Sequence, residues 1–111
     1  MSARNDLLPG TLELLILRTL DEGSLHGYGI AQHIQRVSAE VLKVEEGSLY
    51  PALQRLAVKG WVASEWRTTP TNRRARYYTL TREGRKQLRA ELAGFDRIIG
   101  GIQRVLSGQE G

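Results

Sequence analysis

The pattern of apolar positions predicts three helices in the first half of the chain. The first covers residues 11–22, and because its apolar side chains occupy more than one face, it should be central to the core or partly covered by a second subunit. A second covers residues 28–37, with one apolar stripe at spacings of four and three. The third begins with Ser48 as its N-cap, which places Pro51 in the first turn, and ends at Gly60 in a left-handed cap.

Beyond the third helix the apolar period changes to two. Residues 62–67 and 77–80 alternate in the way that is typical of β-strands, which predicts a two-stranded hairpin. The intervening residues 68–75 hold no apolar anchor and should project as a loop. Residues 24–27 are interpreted as a loop between the first two helices, and Val44 is a candidate for a short extra strand.

The last helix is predicted from Arg82 to Leu106, with Thr81 as its cap. A heptad-type seam of apolar residues runs along it, which favours dimerisation; packing on its own domain is the alternative. The seam consists of Leu88, Leu92, Phe95, Ile99, Ile102 and Leu106. The apolar N-terminal region, through Leu8, Leu12 and Leu15, would receive the partner. The fold class is therefore mainly α with a small β-hairpin and a long C-terminal helix.

Positive charge is concentrated in one segment of the chain, whose 111 residues carry a net charge of +4. Residues 67–89 contain eight basic residues and one acidic residue. Residues 1–66 carry six basic against eight acidic residues, and residues 90–111 carry two against three. Such a basic block attracts polyanions through its local field and through counterion release. An ordinary solvated basic face is the alternative.

The composition argues against several classes of function. There is no cysteine, which excludes disulfides and thiol chemistry. No apolar run approaches the roughly 18 residues of a membrane span, and the N-terminal residues do not resemble a signal peptide, so we expect a cytoplasmic protein. His26 and His33 would lie about 10 Å apart along a helix, too far to share a metal. We expect no metal, no cofactor and no enzymatic activity.

Three helices followed by a hairpin is the order of a winged helix-turn-helix. In that fold the third helix enters the major groove of DNA, about 12 Å wide, and the hairpin reaches the neighbouring backbone. Arg73, Arg74 and Arg76 in the hairpin are therefore candidates for phosphate contacts. Gln54 and Arg55, on the outer face of the third helix, are candidates for adenine and guanine edges, and a solvated helix face is the alternative.

Four segments resemble, in order, the signature segments of the PadR-type transcriptional regulators. They are LPGTL at residues 8–12, HGYGI at 26–30, GSLYPAL at 47–53 and RARYYTLT at 74–81. Gly84 follows in the pattern Leu-Thr-x-x-Gly, and the resemblance covers about residues 7–90. The hairpin loop departs from the family pattern, because Asn72 in a longer Thr/Pro-rich loop replaces the usual tip glycine. Asparagine tolerates a left-handed backbone, so a turn should survive.

The resemblance implies a bacterial or archaeal transcription factor, usually a repressor. It implies a winged helix-turn-helix over residues 1–80 and a dimerisation helix over residues 81–111. A homodimer would place two reading helices about 34 Å apart on a palindromic operator. Family members sometimes bind a small-molecule effector at the dimer interface. Ser48, Tyr50 and Pro51 match the motif at the start of the reading helix, where DNA contact is expected; capping and packing are the alternatives.

Tyr28 opens the second helix, where backbone N–H groups can meet a phosphate, and is a further candidate for DNA contact. Two other functions stay open at this point. A winged-helix module that binds protein and not DNA is possible because fold does not fix function, although the basic hairpin argues against it. The basic last helix could bind a membrane surface, but its apolar stripe has no cluster of tryptophans and a dimer would hide it.

Overall fold

The computed structural model describes residues 10–108, and its elements follow the predicted order with one addition. Within residues 10–108, four helices and three strands make up the fold. The helices are α1 (Thr11–Leu20), α2 (Gly27–Val37), α3 (Glu46–Val58) and α4 (Arg82–Leu106); the strands are β1 (Leu25–His26), β2 (Val62–Thr68) and β3 (Arg74–Leu80). The predicted fold class is confirmed, and the architecture is that of a winged helix-turn-helix.

The added element is β1, in residues that were interpreted as a loop. Leu25 pairs with Tyr78 and His26 with Tyr77, so the hairpin becomes a three-stranded antiparallel sheet of order β1-β3-β2. Val44 lies outside any strand, in the connection between α2 and α3. The prediction missed β1 because two residues are too few to show the alternation on which a strand assignment depends.

Helix α3 begins earlier than predicted. Its N-cap is Glu45, whose carbonyl accepts hydrogen bonds from the backbone N–H groups of Ser48 at 3.0 Å and Leu49 at 2.9 Å. The prediction that Ser48 is the N-cap was therefore wrong, because this residue already lies inside the first turn. Pro51 consequently lies inside the helix, beyond the first turn. Helix α1 ends at Leu20, two residues before the predicted end, and a turn follows.

The caps at Gly60 and Thr81 are as predicted. Gly60 has φ +80°, and the N–H of Trp61 bonds to the carbonyl of Leu56 at 3.0 Å, which closes the C-terminus of α3. The Thr81 hydroxyl accepts a hydrogen bond from the N–H of Gly84 at 3.0 Å and donates to the Gly60 carbonyl at 2.7 Å. One threonine thus starts α4 and ties it to the end of α3.

The core is built around α1, which contacts α2, α3, α4 and β3. Ile16 and Leu17 on this helix are fully buried, which explains why its apolar residues cover more than one face. Leu12 and Leu15 are partly buried against the same core. The inner face of α3 is buried in the same core; its residues there are Leu49, Ala52, Leu53 and Leu56.

The predicted seam of α4 divides into two parts. Leu88 is buried in the chain's own core, and Leu92 packs partly against it. Phe95, Ile102 and Leu106 expose 38%, 44% and 80% of their surface. The first part of the seam therefore attaches α4 to its own domain, as in the alternative interpretation, and the second part has an apolar exposed face. Leu8 lies outside the described residues.

Candidate nucleic-acid interface

An open groove of about 750 Å³ lies between the N-terminal halves of α2 and α3 and the hairpin. We call the hairpin, β2 and β3 with residues 69–73 between them, the wing, and the groove beside it the wing groove. Among the residues that line the groove are five of the predicted DNA-binding residues, three of them arginines of the wing. They are Tyr28, Tyr50, Arg73, Arg74 and Arg76. Residues far apart in the sequence are thus brought to one concave surface.

The start of α2 is held by a histidine cap. Nδ1 of His26 accepts a hydrogen bond from the N–H of Gly29 at 2.9 Å, and the ring meets the Tyr77 ring edge-on at 5.2 Å between centroids. Tyr28, in the same first turn, is exposed, and its hydroxyl accepts a hydrogen bond from Gln32 at 3.2 Å. The cap therefore orients the turn that carries Tyr28 toward the wing groove.

Neither histidine is part of a metal site in the described chain. His26 is used as a helix cap, and a ring nitrogen of His33 lies 3.4 Å from the guanidinium of Arg36. Between residues 10 and 108 there is no group of three or more histidine, cysteine or acidic side chains that could hold a metal ion. No helix in the same part of the chain is long and apolar enough to cross a bilayer.

The outer face of α3 forms a shallow surface next to the groove. Pro51, Gln54, Arg55, Val58 and Lys59 line it. Pro51 and Gln54 are exposed there, and Val58 is 83% exposed. An exposed apolar side chain of this kind can pack on a thymine methyl group. Val58 was not among the predicted contacts because its residue type carries no polar signal.

Arg55 is oriented by an ion pair with α1. Its Nε donates to Oε2 of Glu13 at 2.8 Å, and Nζ of Lys59 lies 3.3 Å from Oε1 of the same carboxylate. Burial raises the pKa of Glu13, but the hydrogen bonds from Arg55 and Lys59 outweigh it and hold the pKa below its usual range. The Arg55 side chain is still 55% exposed, so the ion pair fixes its direction without removing it from the surface.

The N-terminus of α3 carries negative charge. Glu45 is the N-cap and Glu46 lies in the first turn, where carboxylates interact favourably with the helix dipole. Ser48, in the same turn, is exposed. Two carboxylates repel phosphate groups, so this helix end is less suited to phosphate than the sequence motif implies. Tyr50 lines the groove, so it is better placed than Ser48 to meet a bound phosphate.

The wing tip is a tight turn around Asn72. This residue has φ +63°, so the left-handed backbone that asparagine was expected to accept is confirmed. Its N–H bonds to the Thr69 carbonyl at 2.9 Å, and the Thr69 N–H bonds to the Arg73 carbonyl at 2.6 Å. Arg73 and Arg74 follow directly and are both exposed.

Trp66 is part of the groove, and the sequence interpretation did not include it in the site. It pairs with Arg76 across the strands and is 55% exposed. The guanidinium carbons of Arg74 and Arg76 lie 5.7 Å and 5.4 Å from its ring centroid. The alternating pattern correctly assigned Trp66 to the hairpin. It could not tell which face of the sheet the ring occupies, because neither face is an apolar run.

Comparisons with known sequences and solved structures agree on the family of this chain. A profile described as the transcriptional regulator PadR-like family matches residues 16–90. The negative transcriptional regulator PadR of Bacillus subtilis (strain 168) is 27% identical over 77 residues, which cover 69% of this chain and 42% of that protein.

Solved structures give the same result. A transcriptional regulator from Clostridium thermocellum superposes with a TM-score of 0.78 at 29% identity, covering 86% of this chain and 92% of the other. Bacillus subtilis PadR in complex with operator DNA superposes with a TM-score of 0.68 at 26% identity, covering 78% of this chain and 48% of the other.

The fold and the groove define a winged helix-turn-helix protein of the transcription-regulator class. The chain belongs to the PadR-like family of transcriptional regulators. Members of this family are regulators and not enzymes.

Proposed function

We propose that the protein is a homodimeric repressor that binds a palindromic operator with α3 and the wing of each subunit. The observation that carries this proposal is the wing groove, in which Tyr28 and Tyr50 from two helices line the same concavity as Arg74 and Arg76 from the wing. A basic, aromatic-lined groove of this kind suits a nucleic-acid backbone. The likeness to Bacillus subtilis PadR, whose structure was solved in complex with operator DNA, supports DNA binding by this fold.

Within this proposal the residues divide into two roles. Arg73, Arg74 and Arg76 are exposed on the wing, where we assign them to phosphates, which supply affinity and register. Tyr50, Pro51, Gln54 and Arg55 lie on α3, where we assign them to base edges and groove walls, which supply specificity. Tyr28, in the first turn of α2, is assigned to the neighbouring backbone. Ser48 is assigned only a weaker contact there, because Glu45 and Glu46 beside it repel phosphates.

The second half of α4 is proposed as the dimerisation element of residues 81–111. The helix has 25 residues, so it is about 37 Å long at 1.5 Å per residue. Beyond Leu92 its apolar residues are exposed or half-buried; they are Phe95, Ile98, Ile99, Ile102, Val105 and Leu106. We leave Leu88 out of this set because its own core already buries it. Leu12 and Leu15 of α1 keep a half-buried surface that a partner could cover.

Dimer symmetry would place two copies of the 1–80 unit on successive turns of DNA, about 34 Å apart. The same proposal includes a cytoplasmic location, where the protein meets DNA, and release from the operator by a small molecule bound between the two dimerisation helices. A change in the angle between those helices would separate the reading heads from their half-sites.

Selection from a randomised duplex library tests the proposal. We expect enrichment of a two-fold symmetric site whose half-sites are about 10 base pairs apart, protected by two chains. An enriched site without symmetry would contradict the dimeric mode of reading. If no DNA sequence is enriched, and a separate binding assay shows that the chain binds a partner protein, the chain is a winged-helix interaction module.

A further inference from the structure

Two arginines of the wing lie over the ring of a tryptophan. Arg76 lies directly opposite Trp66 in the strand register, and Arg74 lies on the same face of the hairpin. Both guanidinium groups lie within 6 Å of the Trp66 ring centroid, at 5.4 Å and 5.7 Å, the range of cation–π contacts. Nε of Arg76 also donates to the hydroxyl of Ser64 at 2.9 Å. A large apolar ring that is 55% exposed thus serves as a platform for two cations.

On the opposite face of the hairpin, Arg67 has a different environment. Arg67 lies over the Tyr77 ring at 5.2 Å and forms an ion pair with Glu65. Its charge is therefore partly neutralised. Trp66, Arg74 and Arg76, by contrast, all line the wing groove, where Tyr50 also lies.

Stacking on a ring engages the face of a guanidinium group, and the in-plane N–H donors can still bind a phosphate. A free arginine must give up much of its rotamer freedom when it binds a phosphate, whereas a stacked arginine has given up part of it already. The tryptophan ring is itself rigid, with two side-chain torsions. Preorganisation of this kind raises affinity without adding a contact.

We propose that Trp66 is a positioning residue, which holds Arg74 and Arg76 on the groove side of the wing and thereby sets the affinity of the wing for DNA phosphates. The proposal rests on the proposed function, because it assigns a role within DNA binding. A ring that only strengthens strand pairing would affect the stability of the hairpin and leave the arginines unaffected.

The test is a double-mutant cycle on the full chain, measured by fluorescence anisotropy with the selected operator duplex. Trp66→Leu keeps an apolar side chain and all charges but removes the ring face. We expect it to weaken binding about fivefold, and Trp66→Phe to restore most of that loss. When Arg74 and Arg76 are both replaced by Gln, Trp66→Leu should have no further effect beyond about twofold, because its partners are gone.

Arg67→Gln is the matched control, since it removes one charge from the opposite face. It should weaken binding much less than Arg74→Gln or Arg76→Gln. Thermal unfolding of each variant verifies that the fold is intact. The proposal is overturned if Trp66→Leu binds DNA as tightly as the original chain, or if Trp66→Leu and Trp66→Phe bind it equally weakly. It is also overturned if Trp66→Leu still lowers the affinity when Arg74 and Arg76 are both replaced by Gln. Failure of the original chain to prefer the operator over a scrambled duplex would overturn the proposed function itself.

Discussion

Gly27 lies directly against the ring of Tyr50. A methyl group on residue 27 would come within 2.7 Å of the Tyr50 hydroxyl oxygen and within 2.9 Å of two ring carbons. The first residue of α2 therefore has no side chain because the phenol of α3 occupies that space. This contact joins the HGYGI and GSLYPAL segments, and it gives a physical reason for both motifs.

Gly27→Ala should displace Tyr50 from the wing groove and weaken operator binding about tenfold, with little change in thermal stability. The clash is with the end of a side chain that can rotate away, so folding loses little. Alanine also has the higher helix propensity, by up to about 1 kcal/mol. The measurement is anisotropy together with the unfolding midpoint.

Gly29→Ala is the control in the same helix. Its methyl group would meet His26 and Leu25 at 3.2–3.3 Å and does not approach Tyr50. If Gly27→Ala binds as well as Gly29→Ala, the position of Tyr50 is unimportant for DNA binding.

Gly84→Ala should destabilise the fold strongly. A methyl group there would lie 2.0 Å from the backbone carbonyl oxygen of Trp61 and 2.7 Å from a methyl of Leu80. Backbone cannot rotate away, so α4 must shift, at a cost of about 2 kcal/mol or more. The unfolding midpoint should fall by about 10 °C. Gly94→Ala, in the same helix with nothing within 4 Å, should leave it unchanged or raise it; equal midpoints for the two variants would refute the close approach.

Glu13→Gln should lower the free energy of unfolding at neutral pH by up to about 1 kcal/mol, because Arg55 and Lys59 lose their carboxylate and are half exposed, 55% and 45%. The pKa of Glu13 is lower in the folded than in the unfolded chain. Its stabilisation is therefore complete above the unfolded pKa and disappears as the pH falls through the folded pKa.

Urea unfolding at a series of pH values measures this dependence. The difference between the two proteins should shrink below about pH 4. A difference that stays constant from neutral pH to about pH 3 would show that the carboxylate charge is not responsible.

Ile102→Glu should convert the proposed dimer into monomers. The substitution places a charge on the apolar face of α4, which a partner helix would have to desolvate at a cost that the lost contact cannot offset. Light scattering after size-exclusion chromatography measures the mass. Gln103→Glu adds the same charge at the neighbouring exposed position and should leave the dimer intact. If Ile102→Glu and Gln103→Glu are both dimeric, this face of α4 does not hold the subunits together.

Local sequence patterns, such as caps and the alternation of apolar residues, predicted much of the fold. The Gly60 and Thr81 caps, the alternation in β2 and β3, and the length of α4 depend on local backbone preferences, and the structure confirms them. The strands extend further into the predicted loop than expected, because β2 ends at Thr68 and β3 begins at Arg74. The start of α3 was predicted wrongly because Ser48 is a good N-cap residue in general, while here the chain turns at Glu45.

Contacts between distant residues could not be predicted. Arg55 and Glu13 are 42 positions apart, and their ion pair exists only because α1 and α3 pack together. The pairing of β1 with β3 and the closeness of Gly27 to Tyr50 have the same origin. The division of the α4 seam depends on how far the core extends along the helix, which the heptad pattern does not encode.

The most direct test of the central claim is an anisotropy titration of the selected operator and a scrambled duplex at two salt concentrations. It compares the original chain with one in which Arg73, Arg74 and Arg76 are all glutamine. We predict tight, operator-preferring binding by two chains, and a salt slope that falls by about three in the variant, because each wing arginine neutralises one phosphate. Equal, weak binding of both duplexes, with the same slope for both proteins, would contradict the claim that this groove and wing read DNA.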